Sequence, residues 1–418
     1  MNTFNPAQEI QNLQFFGEFG GVNPSIEDSS TYTFLQANKM TELFEKEIEG
    51  CYLYSRHMNP TNRYLSQALA RMENTESALV TASGMAAITC TLLQLCSSGD
   101  EIISSRMVYG GTYAFLKNIA PRFGINTTFV DMRDPDLVSK AITQSTKVIY
   151  CETMSNPLLE ITDLKAISKI CKKHGIHFVV DNTFTPLMVT PTLFGADIVI
   201  HSLTKFINGT SDTVAGVICG PNEFIHQLSD VNSGTVMLLG PVMDIMRSAS
   251  VLKNLHSLPV RMAKHSANAM YLAKRLQEAG LKVVYPGLKK HPQHDQLTKI
   301  YHTEFGYGGM MVMDLGTKED AFRVMEEMQN LNVGYLAVSL GFYKTLFSSP
   351  GGSTSSEIPE EERLAMGLSD GLVRLSIGLD HDPSVAFKKI MKCIQKVKGV
   401  NSKVKSNKNS SSLVSNLN

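Results

Sequence analysis

HFVVDNTFTPLMVTPTLFGADIVIHSLTKFINGTSD, residues 177–212, contains two short β-branched runs, His177–Val180 and Ile198–Ile200, each followed at once by polar residues. Runs this short and this apolar read as strands buried on both faces, as in a parallel sheet. The polar residues Asp181-Asn182-Thr183 and His201-Ser202-Leu203-Thr204-Lys205 then fall at carboxyl ends of strands. In open α/β sheets those ends form the ligand crevice.

Outward from this stretch the same pattern repeats. Short runs at Ala78–Thr81, Glu101–Ser104, Thr127–Val130, Lys147–Tyr150 and Gly216–Cys219 alternate with helical patterns from residue 59 onward, which predicts a mostly parallel sheet wrapped in helices. In one of those helices Thr162 or Asp163 is the N-cap, Leu164, Ile167, Ile170 and Cys171 form the apolar stripe, Lys172-Lys173 suit the last turn and Gly175 stops it. Crossovers of this kind join parallel strands.

After residue 256 the pattern becomes a long amphipathic helix ending near Gly280. Strands follow around Val283, Met311 and Leu375, with a last helix from Val385 to Val397, so residues 257–398 read as a smaller α+β domain. Residues 1–58 are polar and irregular apart from an acidic helical segment from Glu42 to Gly50, and read as an arm. The Ser/Asn/Lys-rich tail, 399–418, has no apolar period and is expected to be disordered.

The chain has 418 residues, with Lys+Arg and Asp+Glu both at 39, so no excess charge recruits nucleic acid or an anionic membrane. Seven widely spaced cysteines lack the close pairs of a zinc site or redox dithiol, and read as reduced thiols of a cytoplasmic protein. MNTFNPAQEI resembles neither a secretory signal nor a transit peptide. Every apolar run is broken before the roughly 18 residues a membrane helix needs.

Three elements carry chemistry. Lys205 beside two hydroxyl residues at a strand end suits a Schiff base and a phosphate, although taken alone an exposed loop lysine is the favoured reading. A buried Asp181 is costly unless paired. A pyridinium N–H is one such partner and turns the ring into an electron sink; a helix N-cap or a solvated turn is another reading. In LVTASGMAAITCTLL, residues 79–93, a strand passes through Ser83-Gly84-Met85 into a helix, whose first N–H groups form an anion site suited to phosphate. Ser-Gly between strand and helix is common in itself.

Seven blocks in fixed order, YSRHMNPT (54–61), SGM (83–85), VYGGT (108–112), ETMSNP (152–157), DNT (181–183), HSLTK (201–205) and VRLSIGLD (373–380), give a specific resemblance. The chain resembles the pyridoxal-5′-phosphate enzymes of cysteine and methionine metabolism. These include cystathionine γ-lyase and γ-synthase, methionine γ-lyase and O-acetylhomoserine sulfhydrylase.

The resemblance implies PLP fold type I, the aspartate-aminotransferase-like α/β architecture. It implies that Lys205 anchors the cofactor and moves protons, that Asp181 pairs with the pyridine nitrogen, and that Tyr109 stacks on the cofactor and serves as a second proton carrier. Ser83, Gly84, Met85, Ser202 and Thr204 are implied to hold the phosphate, joined by Tyr54 and Arg56 from a neighbouring subunit. That arrangement implies a homo-oligomer, an obligate dimer that the family usually doubles to a dimer of dimers. Asn156 and Arg374 match positions that bind the substrate carboxylate, where a guanidinium suits bidentate pairing, and Ser339 matches a residue near the lysine.

Within the family, cystathionine γ-lyases usually place a glutamate before Ser-Leu-Gly and an Asn-Arg pair after Tyr-Gly-Gly-Thr. This chain has Val338 and Tyr113-Ala114 there. The Ala-Val-Ser-Leu-Gly run, 337–341, is similar to that of methionine γ-lyases, and Met237-Leu238-Leu239-Gly240-Pro241 to a run in those of plant type. Bacterial methionine γ-lyases carry cysteine where Gly111 stands and a Lys-Asp pair at Val236-Met237. The expected activity is α,γ-elimination of L-methionine, with γ-replacement or cystathionine chemistry as the alternative. A dinucleotide-binding dehydrogenase would need a Gly-x-Gly-x-x-Gly turn after its first strand, and the sequence has none there.

Overall fold

A computed structural model describes residues 4–45, 48, 50–352, 361 and 367–399. The expected tail lies outside them beyond Gly399, as do residues 46, 47 and 49 of the acidic segment, which is helical over Ala37–Glu45.

Seven strands form the first sheet: β1 (Ser77–Thr81), β2 (Glu101–Ser105), β3 (Asn126–Val130), β4 (Thr146–Glu152), β5 (His177–Asp181), β6 (Ile198–Ser202) and β7 (Gly216–Gly220), in the order β1-β7-β6-β5-β4-β2-β3. Strands β2 to β6 pair in parallel, while β7 is antiparallel to both β6 and β1. The reversal has a physical cause. The connection from Ser202 to Gly216 contains no helix, and a parallel return needs a crossover of a dozen residues or more, usually helical.

Alternate residues of each strand enter opposite layers. Phe178 and Val180 join Val199, Val217 and Cys219 on one side, whereas Val179 joins Val148, Ile198, Ile200 and Ile218 on the other. Both faces are thus buried, which is why the strands read as continuous apolar runs.

The Leu164–His174 helix illustrates the crossovers. Asp163 Oδ1 accepts from Ala166 N at 3.0 Å, Leu164, Ile167 and Cys171 are buried, Ile170 is half-buried, and Gly175 ends the helix at φ 67°. The Gly84–Leu95 helix begins immediately after β1 and packs on β6 and β7.

A second, five-stranded sheet comprises β8 (Lys282–Val284), β9 (Met310–Asp314), β10 (Gly334–Leu336), β11 (Thr345–Ser348) and β12 (Leu372–Ser376), ordered β10-β11-β12-β9-β8. Met311, Met313, Val373 and Leu375 on its strands pack with Leu272 and Leu276 of the Leu258–Glu278 helix, Val324 and Met328 of Lys318–Asn330, and Ile390 and Ile394 of Pro383–Lys398. At the N-terminal end, Ile10 of the Pro6–Gln11 helix is buried against the Pro60–Met72 helix. Fully buried Asn59 ties the following segment down, donating to Glu27 O at 2.9 Å and capping the Pro60–Met72 helix at Thr61 N. Among the described residues no helix is long and apolar enough to cross a membrane.

Candidate active site

The carboxyl ends of β4, β5 and β6 converge on a cavity of about 260 Å³. Ser83, Gly84, Met85, Tyr109, Asn156, Asp181, Ser202, Thr204, Lys205 and Arg374 all line it, so ten of the sequence-derived candidates meet in one place. Ser339 joins them by accepting from Lys205 Nζ at 3.2 Å. Tyr54 and Arg56 do not line this cavity. Arg56 donates to Met237 O at 2.8 Å with its guanidinium 5.6 Å from the Tyr54 ring centre.

Local structure explains each placement. Lys205 sits in the turn after β6, where Ser202 N donates to Thr183 Oγ1 at 2.8 Å and Ala215 N donates to Thr204 Oγ1 at 3.0 Å. The Ser339-Leu340-Gly341 segment lies directly on that turn. A Cβ at Gly341, whose φ is +80°, would stand 2.5 Å from Phe206 N, so only glycine permits the approach.

Arg374 reaches the cavity from β12 of the second sheet and donates to Asn156 Oδ1 at 2.9 Å. Behind the sheet, buried Glu73 shares a 2.6 Å hydrogen bond with His201 Nε2 and accepts from Asn182 Nδ2 at 3.1 Å. It thereby ties the ends of β5 and β6 together.

Burial moves every charge in the cavity toward its neutral form. Asp181, held by Thr183 N at 2.9 Å and Tyr150 OH at 3.4 Å, has its carboxyl raised by desolvation. Desolvation and the nearby Arg374 lower the Lys205 amine to about 8. The buried Arg374 guanidinium is itself lowered to about 10 by desolvation.

One charged cavity residue escaped the sequence reading. Strand β4 was expected to end at Tyr150 but continues through Glu152, which pairs in register with Asp181. Glu152 is buried, accepts from Tyr109 N at 2.7 Å and Asn156 N at 2.9 Å, and is raised to about 8 by desolvation and by Asp181. A strand ending in a carboxylate was the available signal.

The residues fit pyridoxal 5′-phosphate on three observations. The first turn of the Gly84–Leu95 helix lines the cavity beside Ser202, the end of a helix that favours an anion, and a Cβ on Gly84 would stand only 2.7 Å from Ser202 Cβ. Asp181 offers a buried carboxylate that a cationic ring N–H would relieve. Lys205 offers an amine whose neutral, nucleophilic form burial favours.

Comparison with known proteins agrees. Residues 8–385 match the family described as Cys/Met metabolism PLP-dependent enzyme. The chain is similar to a methionine γ-lyase from Arabidopsis thaliana, with 42% identity across 89% of this chain and 86% of that protein. It is also similar to a cystathionine γ-lyase from Bacillus subtilis, with 39% identity across 86% and 91%. Among solved structures it resembles an O-acetylhomoserine (thiol)-lyase-type protein of Campylobacter jejuni bearing N′-pyridoxyl-lysine-5′-monophosphate, with TM-score 0.87 and 29% identity across 94% of this chain and 100% of that one.

Proposed function

The chain belongs to the Cys/Met-metabolism PLP-dependent enzymes of fold type I, and from that membership we propose that it is a methionine γ-lyase, converting L-methionine and water into methanethiol, 2-oxobutanoate and ammonia. The observation that carries this reading is the remainder of the cavity lining. Beyond the residues assigned to cofactor and amino-acid backbone it consists of Ile88, Met154, Phe184, Val214, Val338 and Leu340, with Thr183 and the carboxyl of Glu152. Neither Thr183 nor a carboxyl held by two main-chain amides offers a second cation-and-anion pair. A methylthio group loses nothing against such a wall, whereas the distal ammonium and carboxylate of cystathionine lose hydration without gaining partners.

Bound pyridoxal phosphate supplies the electron sink that makes Cα and Cβ protons of an amino acid removable. The chain's residues do the rest. Ser83, Gly84, Met85, Ser202 and Thr204 hold the phosphate, and Asp181 keeps the ring nitrogen protonated. Arg374 and Asn156 grip the substrate carboxylate, the guanidinium needing an anion to offset its burial.

Lys205 Nζ anchors the cofactor and is the base at Cα. An amine lowered to about 8 is available in its neutral form near physiological pH. Tyr109, with its main chain fixed by Glu152, stacks on the ring and delivers a proton to the departing sulfur. Ser339 steadies the lysine.

Tyr54 and Arg56 complete the phosphate site of a neighbouring subunit in a dimer of dimers. The arm supports this part of the proposal, because Phe19, Val22 and Leu35 are 97%, 91% and 101% exposed, apolar side chains that a second subunit would cover. A cytoplasmic site of action belongs to the same proposal, supported by seven unpaired cysteines.

Kinetics of the purified protein test the reading. L-methionine should yield methanethiol and 2-oxobutanoate with a higher kcat/KM than L-cystathionine. Preference for cystathionine, or much faster formation of homocysteine from O-acetylhomoserine and sulfide, refutes the lyase assignment and leaves the cofactor assignment standing.

A further inference from the structure

Glu152 sits where three parts of the site meet. It ends β4, beside Asp181 at the end of β5. Oε1 accepts from the main-chain N–H of Tyr109, which precedes the Gly110–Ala114 helix, at 2.7 Å. Oε2 accepts from the main-chain N–H of Asn156 at 2.9 Å. The Asn156 side chain in turn accepts from Arg374 Nη1 at 2.9 Å. Three consecutive hydrogen bonds therefore run from the backbone of the stacking tyrosine, through one carboxylate, to the guanidinium on the second sheet.

We propose that Glu152 is a positioning residue for substrate recognition, setting the spacing of Tyr109 and Asn156 and, through Asn156, the aim of Arg374 at the substrate carboxylate. This rests on the reading of Arg374 and Asn156 as the carboxylate grip.

Packing alone does not account for an acid at this position. Keeping a carboxyl buried against Asp181 is expensive, as its rise to about 8 indicates, and a similarly sized apolar residue avoids that cost. Two N–H donors aimed at two oxygens require acceptors at both ends. Glutamate provides them. Glutamine sets its own NH₂ against one of the two donors, leaving a buried N–H unsatisfied.

The test uses the holoenzyme and glycine, an amino acid with no γ-substituent to lose, whose binding is followed by the absorption of the bound cofactor. Glu152→Gln should weaken glycine binding at least tenfold and raise KM for the reactive substrate more than it lowers kcat, without moving the absorption band of the unliganded holoenzyme. Arg374→Lys should also weaken glycine binding. If Glu152 acts through Arg374, the double variant is weakened little further than Arg374→Lys alone. Glu152→Asp keeps the carboxyl but cannot span both amides, so its loss should be intermediate; it replaces Glu152→Gln if thermal melting shows the latter unfolded.

Glycine affinity within twofold of wild type in Glu152→Gln or Glu152→Asp overturns the inference, provided that Arg374→Lys has lost it. Strictly additive losses in the double variant also overturn it. Unchanged glycine affinity in Arg374→Lys removes the carboxylate-grip reading itself, and the inference with it.

Discussion

Replacing Val338 by glutamate tests the distal wall most directly. Val338 lines the cavity yet is 62% exposed, so it stands at the rim. A glutamate there meets the distal ammonium of cystathionine in partly aqueous surroundings, where an exposed ion pair contributes about 0.2–1 kcal/mol. The methylthio group of methionine loses an apolar neighbour, a contact of at most about 0.8 kcal/mol and about half that at a rim position. Together these shift the ratio of kcat/KM for cystathionine over methionine by about 0.6 to 1.4 kcal/mol, or roughly threefold to tenfold.

The ion-pair part is screened by salt and the apolar part is not. Initial rates of 2-oxobutanoate formation from both substrates, at about 0.05 M and about 0.5 M KCl, separate them. A ratio that stays within twofold of wild type refutes the assignment of Val338 to the distal wall. A shift above a hundredfold that ignores salt refutes the rim argument, because only a fully desolvated pair reaches that size.

The other predictions concern the cofactor end. Lys205 is depressed from an ordinary 10.5 to about 8, so between those values the unfolded chain binds a proton that the folded chain lacks, and its contribution to stability rises with pH. The burial cost is therefore fully present below pH 8. Urea melts of the apoprotein should show Lys205→Met more stable than wild type at pH 7, by up to about 3 kcal/mol, with the gain fading toward pH 10.5; a gain that grows with pH sinks this. The same variant should have no turnover.

Asp181→Asn should slow exchange of the substrate Cα proton with solvent at least about a hundredfold while the cofactor stays bound. Arg56→Ala should mainly weaken cofactor retention, and should restore activity when mixed with Lys205→Ala; absence of recovery counts against the shared site. A Cβ at Gly111 would stand 2.6 Å from Tyr109 Cε1, so Gly111→Cys must displace the ring. Its kcat should fall about tenfold with an unchanged melting temperature, and an unchanged kcat would show that the ring's resting position does not matter.

The legible part of this protein was what local chemistry dictates. All seven strands of the first sheet were located from runs such as Phe178–Val180 and Ile198–Ile200, because burial on both faces leaves little room for anything but β-branched and aromatic side chains. Asp181 and Lys205 stood out because they are polar at the ends of those runs. Strands β10 and β11 were missed. Tyr335 and Leu336 of β10 lie at the edge and are exposed, and β11 is only Thr345–Ser348, so neither carries the alternation that marks a half-buried strand.

Glu152 escaped for a different reason. In sequence it opens the ETMSNP block, and taken alone it looks like any acid at the mouth of a loop. Its significance comes from register: parallel pairing of β4 with β5 sets it beside Asp181, and the turn that follows brings Asn156 N back onto its second oxygen. The Tyr109 amide arrives from the end of β2, the neighbour of β4 on its other side. None of those partners is close enough in sequence to form a local motif, apart from Asn156. A single chain therefore discloses its buried carboxylates one at a time. Whether such a residue is a cap, a cofactor partner or a positioning clamp is decided only when strand order sets its neighbours.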